Sequence, residues 1–172
     1  AVTLTSETTA DGSITVDAGG TITASVVTAG GGDADDDVSL ATSAGDIDAA
    51  AITATGNDVT LNAAASITDG NAAANNISAA NLDATAATGI DLDTDTDSIT
   101  AAVSGTGVVD IDETDAVTLT SVTTADGSIT VDAGGTITAS VVDASNTNSD
   151  SNDISLANTA GSVSMGTVVT GS

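Results

Sequence analysis

Apolar and polar residues alternate along much of the chain. Residues 13–18 read Ser-Ile-Thr-Val-Asp-Ala, so in an extended backbone every second side chain is apolar and points the same way. The pattern [Ile/Val]-x-[Val/Leu/Ile] begins at Ile14, Val38, Val59, Ile90, Val109, Ile129 and Ile154. A second apolar start follows each by eight or nine residues, at Ile22, Ile47, Ile67, Ile99, Val117, Ile137 and Val163. A looser third start is found at Val26, Ile52, Val103, Val122, Val141 and Val168. Glycines such as Gly19, Gly20, Gly45, Gly134, Gly135 and Gly161 lie between these segments, where corners need permissive backbone. Seven units of 19–31 residues, each with two or three short strands, predict an all-β fold, a parallel β-helix (β-solenoid) of about seven coils. The length variation falls at 28–37, 70–75 and 143–153, and is expected at one corner, where an insertion leaves the stacking intact.

A longer repeat overlies the short one. Residues 116–142 repeat residues 1–27 with one change, Val122 for Glu7, at an offset of 115. After a one-residue insertion, Ile154-Ser-Leu-Ala answers Val38-Ser-Leu-Ala. This predicts a first super-repeat of five coils at 1–115, and the start of a second at 116–172, within one continuous solenoid. The first residue is Ala1 and no signal peptide is visible, as in a processed protein or a segment of a larger one.

Composition narrows the alternatives. The 172 residues include no Lys, Arg, His, Cys, Pro, Phe, Trp or Tyr. Tandem immunoglobulin-like adhesin domains have units of similar length, but they usually fill the space between two sheets with aromatics, and none exist here. Small Val, Ile, Leu and Ala side chains suit a narrow, repeating interior instead. A formal charge of −25 makes nucleic acid and anionic membranes poor partners, and no apolar run reaches the ~18 residues of a membrane span. The absence of cysteine leaves no disulfide framework and no zinc–thiolate site.

Residues 12–24 (GSITVDAGGTITA) and 57–69 (NDVTLNAAASITD) resemble the coils of filamentous-haemagglutinin-like large exoproteins. The likeness extends over nearly the whole chain and is one of composition and pattern. It implies a right-handed β-helix, bacterial origin, an extracellular or cell-surface location and a role as adhesin or matrix component. The secretion domain that begins such proteins is not found in this sequence.

Carboxylates supply the candidate chemistry. Aligned coils place Asp91 and Asp93 beside Asp110 and Asp112, with Asp132 in the next coil, all on outward positions. Coils lie ~4.8 Å apart, so these five form a ladder that Asp95, Asp97, Glu113 and Asp115 extend around a corner. Unit charges at that spacing repel by about 1 kcal/mol in water and by more at lower dielectric. With no protein cation available, a Ca²⁺ ion is the expected counter-ion, against a plain solvated face screened by salt. A weaker cluster, Asp33, Asp35 and Asp37 after Gly31-Gly32, approaches a calcium-binding nonapeptide, with Ala34 where a third glycine belongs. A solvated loop is the favoured reading there. Asn76-Ile77-Ser78 is a lone glycosylation sequon.

Catalysis is not expected, because no His, Lys, Arg or Tyr is present to tune a carboxylate, abstract a proton or bind substrate. No organic cofactor is implied. Thr-x-Thr segments such as Thr21-Ile-Thr23 raise ice binding as a minor alternative, although Thr is simply a good outward strand residue. The expected role is a structural module of an extracellular fibre, matrix or giant surface exoprotein. It would stack end to end or against flanking repeats of the same polypeptide. A calcium-dependent adhesin segment that binds carbohydrate or a cell surface is the alternative.

Overall fold

A computed structural model describes residues 1–72, 74–145 and 152–171. Among these the chain forms no helix, and seventeen strands join in one continuous parallel sheet. This is the β-solenoid the alternation predicts, and the reason is visible in the burial. Strand Val38–Thr42 buries Val38, Leu40 and Thr42 and turns Ser39 and Ala41 outward. Strand Val109–Glu113 buries Val109, Ile111 and Glu113 and exposes Asp110 and Asp112. Inward side chains stack on their own kind from coil to coil, so the core is a column of Ile, Val, Leu and Ala without an aromatic. No helix of the described chain is long and apolar enough to cross a membrane.

Two columns run the full length of the stack. One passes through Val2, Ile22, Ile47, Ile67, Ile90, Val109, Ile129 and Ile154. The other passes through Ile14, Val38, Val59, Leu82, Ile99, Leu119, Ala139 and Met165. Seven steps separate the first and last members of each, giving about seven turns. A third column, Glu7, Val27, Ile52, Ile77 and Thr94, reaches Glu113 and then ceases to be a strand of its own. Below that point the coils have two strands and a corner.

This register corrects the coil alignment read from the sequence. Ile90, Val109, Ile129 and Ile154 do not lie under Val59. They lie under Ile67, in the column of Ile22. The strand at Ile77–Ala86, whose Leu82 continues the Val59 column, is the coil the sequence pattern skipped. Its core positions are mostly Ala, too weak a signal to mark a coil start. The 115-residue offset therefore spans five coils plus one further column. Ile14 stacks in one column, and its repeat counterpart Ile129 stacks in the next.

Local pairing nevertheless repeats faithfully. Ile14↔Val38 becomes Ile129↔Ile154, and Ile22↔Ile47 becomes Ile137↔Val163. The insertions also differ from expectation. They occupy more than one corner, because 30–37 leads into the Val38 column and the described residues between Asp69 and Ile77 lead into the third column, while the insertion expected at 143–153 falls largely outside the described residues. Twin valines left the phase open in the sequence, and the inward members are Val27 and Val142, not Val26 and Val141.

Corners are set by glycine where nothing larger fits. Gly45 has φ +98°, and a Cβ there would approach the Thr21 Oγ1 to 2.6 Å and the Thr21 nitrogen to 2.8 Å. Gly161 meets Thr136 in the same way, one super-repeat later. The outermost strands have a neighbour on one edge only, which leaves Met165, Val168 and Val169 exposed and Ile14, Val16, Ile154 and Leu156 half-buried.

Candidate functional site

The carboxylate ladder follows directly from register. Asp91 pairs with Asp110, while Asp93 pairs with Asp112, which pairs in turn with Asp132. All five expected members thus share one face. Their alternation with Ile90, Leu92, Val109, Ile111 and Val131 turns them outward, since those apolar neighbours are buried. Higher on the same column the outward residues are Thr3, Thr23, Asp48 and Thr68, so the acidic row is confined to the lower coils. The same sequence places Asp17 opposite Ala41 in the other column, and only the one-column advance of the second copy brings Asp132 beneath Asp112.

The face is electrostatically tense. Desolvation raises Asp91 above the ordinary carboxylate range, with Asp69 and Asp112 adding repulsion. Asp93 is raised first by desolvation and then by Asp69, Asp112, Asp91 and Asp110. Asp110 is raised by desolvation and then by Asp91, Asp112 and Asp132. Asp69 is the member that alignment missed. Burial pulls it upward, but hydrogen bonds from the Asn71 and Ala72 amides and from Asn76 Nδ2 prevail and hold it below its usual value. It is therefore a fixed negative charge at the head of the ladder.

Asn76 locks the same loop. It is fully buried, donates to the Ala49 carbonyl at 2.9 Å and to Asp69 at 2.8 Å, and accepts from the Asp93 amide at 2.7 Å. A side chain so engaged is closed to glycosylation in the folded chain, so the sequon has a structural use instead. One residue earlier, Asn75 accepts a hydrogen bond from Thr114, two coils away in the stack. The loop thus walls a groove of about 580 Å³ whose floor includes Asp93, Asp112, Asp132 and Glu113.

Glu113 is the most unusual group. It occupies the interior position below Thr94, where higher coils place Ile77, Ile52 and Val27, and it is only 4% exposed. One of its oxygens accepts from Thr94 Oγ1 (2.8 Å), Thr96 Oγ1 (2.9 Å) and the Thr96 amide (3.1 Å). The other accepts from the Asp115 amide at 3.4 Å. Burial still outweighs these donors and raises its pKa. One oxygen each from Asp95, Glu113 and Asp115 lies within 4.8 Å of the others. That separation matches oxygens on a common ion at 2.3–2.6 Å, the range Ca²⁺ uses. Among the described residues this is the group with metal-binding geometry, and the sequence had placed all three at the corner of the ladder.

The loop of the weaker cluster is organised by a residue not singled out. Asp36 is buried and accepts from the amides of Gly12 (2.6 Å), Gly32 (2.9 Å) and Asp33 (3.1 Å). The Gly12 bond is the main cause of its lowered pKa. Asp33 and Asp35 are exposed, and Asp37 accepts from the Asp58 amide. The four acids do not converge on a common point among the metal-binding groups of the described chain. In the second copy Asn152 replaces Asp36, accepts from Gly127 and donates to the Ala144 carbonyl. Residues 146–151 between them lie outside the described part.

Compared with known proteins, the chain matches no family model, no curated sequence and no solved structure.

Proposed function

We propose that this chain is a non-catalytic structural module of an extracellular fibre, matrix or giant surface exoprotein of the filamentous-haemagglutinin-like kind. The observation that carries the reading is the way the second copy of the long repeat enters the stack. It adds strands to the same sheet with the local registers of the first copy, so further repeats extend the rod without a new interface. The absence of Lys, Arg, His and Tyr supports a role without catalysis, and the many backbone ladders supply stiffness. Ca²⁺ at Asp95, Glu113 and Asp115 and along the Asp91–Asp110 ladder is part of the proposal, because carboxylates without protein cations need a counter-ion.

Rod length tests this reading. Five coils and one column per repeat, at ~4.8 Å per coil, give about 26 Å per 115 residues. Polypeptides of two, four and six repeats, imaged by negative-stain microscopy, should lengthen by twice that increment, about 51 Å, at each step and at constant width. Separate beads on a string would rule it out. The second reading, a calcium-dependent adhesin segment, draws on the acidic groove beneath the 70–76 loop. Chelator-sensitive retention on a carbohydrate array, lost on Asp112→Asn, would favour it.

A further inference from the structure

The sequence contains no Asn-Gly pair but three Asp-Gly pairs, Asp11-Gly12, Asp69-Gly70 and Asp126-Gly127, each at or just beyond the end of a strand. Glycine has no side chain to shield its peptide nitrogen, so that nitrogen can attack the carboxyl carbon of the preceding aspartate. The N–Cγ bond forms, the carboxyl hydroxyl and the amide proton leave as water, and a five-membered succinimide results. Water then opens the ring. Attack at Cγ restores aspartate, whereas attack at the main-chain carbonyl leaves isoaspartate, whose backbone runs through the side chain and is one methylene longer. At the corner of a solenoid that extra methylene misaligns the strand that follows. The reaction requires a glycine N–H that is free to lose its proton.

All three of these N–H groups are engaged in the folded chain. Gly70 donates to the Ala49 carbonyl at 2.8 Å, and the Asn71 and Ala72 amides and Asn76 pin the Asp69 carboxylate. Gly12 and Gly127 donate to side chains instead, Gly12 to Asp36 Oδ1 at 2.6 Å and Gly127 to Asn152 Oδ1 at 3.0 Å. Both acceptors are buried, although each belongs to a corner loop. They hold the same place in the two copies, one residue before the Asp37 and Asp153 amides that donate to Ser13 and Ser128. The glycine cannot be exchanged for a less reactive neighbour at Gly127, because a Cβ there would collide with the Gly107 carbonyl. An N–H held by a buried oxygen resists deprotonation, since the nitrogen anion would face an atom already rich in negative charge. We propose that Asp11 and Asp126 are latent isoaspartate sites, and that Asp36 and Asn152 keep them closed by holding the glycine N–H that would otherwise attack.

The two copies supply their own control. Residues 1–27 and 116–142 differ only at Glu7 and Val122, so Asp11 and Asp126 should react alike once the chain is unfolded in urea. The whole chain is aged for weeks at neutral pH, then unfolded and cut by an endoproteinase that cleaves before aspartate but not before isoaspartate. Uncut fragments 1–16, 115–131 and 58–82, resolved by mass spectrometry, report Asp11, Asp126 and Asp69 separately. In the folded chain each site should convert at least about tenfold more slowly than in urea. Asp36→Ala should raise conversion at Asp11 roughly tenfold and leave the other two sites unchanged, and Asn152→Ala should do the same at Asp126 alone. Ser13→Ala removes the hydroxyl that ties this corner to the Asp35 carbonyl and the Asp37 amide but keeps Gly12 on Asp36, so Asp11 should stay slow. An unchanged rate at Asp11 in Asp36→Ala would overturn the proposal. So would an equal acceleration by Ser13→Ala, which would make loop order the cause, or a rise shared by all three sites, which would mark general loosening.

Discussion

Asp110 is the carboxylate at which the ladder's repulsion is best measured. It pairs directly with Asp91 on one side, and Asp112 and Asp132 also repel it, while no basic side chain exists to offset them. Two unit charges about 5 Å apart cost about 1 kcal/mol at the dielectric of water and several-fold more at that of a protein surface. Asp110 is exposed, which calls for the lower figure and a further reduction for solvent screening. Asp110→Asn keeps the shape and removes the charge, so it should stabilise the fold by roughly 1–2 kcal/mol in low-salt buffer at neutral pH. The chain has no Trp or Tyr, so intrinsic fluorescence is blind, and urea unfolding followed by far-ultraviolet circular dichroism is the suitable assay. Urea is required because guanidinium would itself screen the charges. The gain should shrink to a few tenths of a kcal/mol at ~0.5 M NaCl, where the screening length falls to about 4 Å. A gain independent of salt would show that repulsion is not its source, and a loss of stability would show that Asp110 is already neutralised.

Three further outcomes follow from single residues. Gly45→Ala should cost about 1–3 kcal/mol, because its φ of +98° and the nearby Thr21 both oppose a Cβ; Gly12→Ala, at φ +100° with open space around it, should cost less, and urea midpoints compare the two. Asn76→Ala should cost roughly 1–3 kcal/mol by orphaning the Asp93 amide and removing a donor from Asp69, while the Ala49 carbonyl keeps its bond from the Gly70 amide; an unchanged melting temperature would refute the locking role given to Asn76. Asp36→Ala should speed exchange of the Gly12 and Asp33 amides, and its lowered pKa means that the wild-type loop loses this bond only as pH drops below the usual carboxylate range, whereas the Asn152 loop keeps its bond through the same titration.

Much of the fold was legible because solenoid burial is written in alternation. Ile14-x-Val16 and Val109-x-Ile111 announce strands whose partners are strands of the same kind, and the missing aromatics exclude a wide core. The ladder was legible for the same reason, since neighbouring coils at Ile90, Val109 and Ile129 have matching phase and almost equal lengths. What escaped was the phase between distant coils. The Ala-rich strand at Ile77–Ala86 gives no strong apolar peak, so its coil was merged with its neighbours and everything below was assigned one column too early. Asp36, Asp69 and Asn76 escaped for a different reason. Their task is to collect backbone amides and carbonyls at corners, and that role has no periodicity to read.

The missed phase has a consequence for the surface. Identical segments 1–27 and 116–142 acquire different neighbours, because the second begins one column further round the rod. Asp17 faces Ala41, while the same residue in the second copy, Asp132, completes a row with Asp112 and Asp93. Sequence identity between repeats therefore does not imply identity of surface, and electrostatic properties belong to the stack rather than to the repeat. Placing Asp132→Asn beside Asp17→Asn makes the difference measurable. The first should stabilise the chain at low salt by about 0.5–1 kcal/mol through relief of repulsion with Asp110 and Asp112, and the second should be neutral within error. Equal effects of the two substitutions would mean that both copies stand in the same column, and the one-column advance would have to be abandoned.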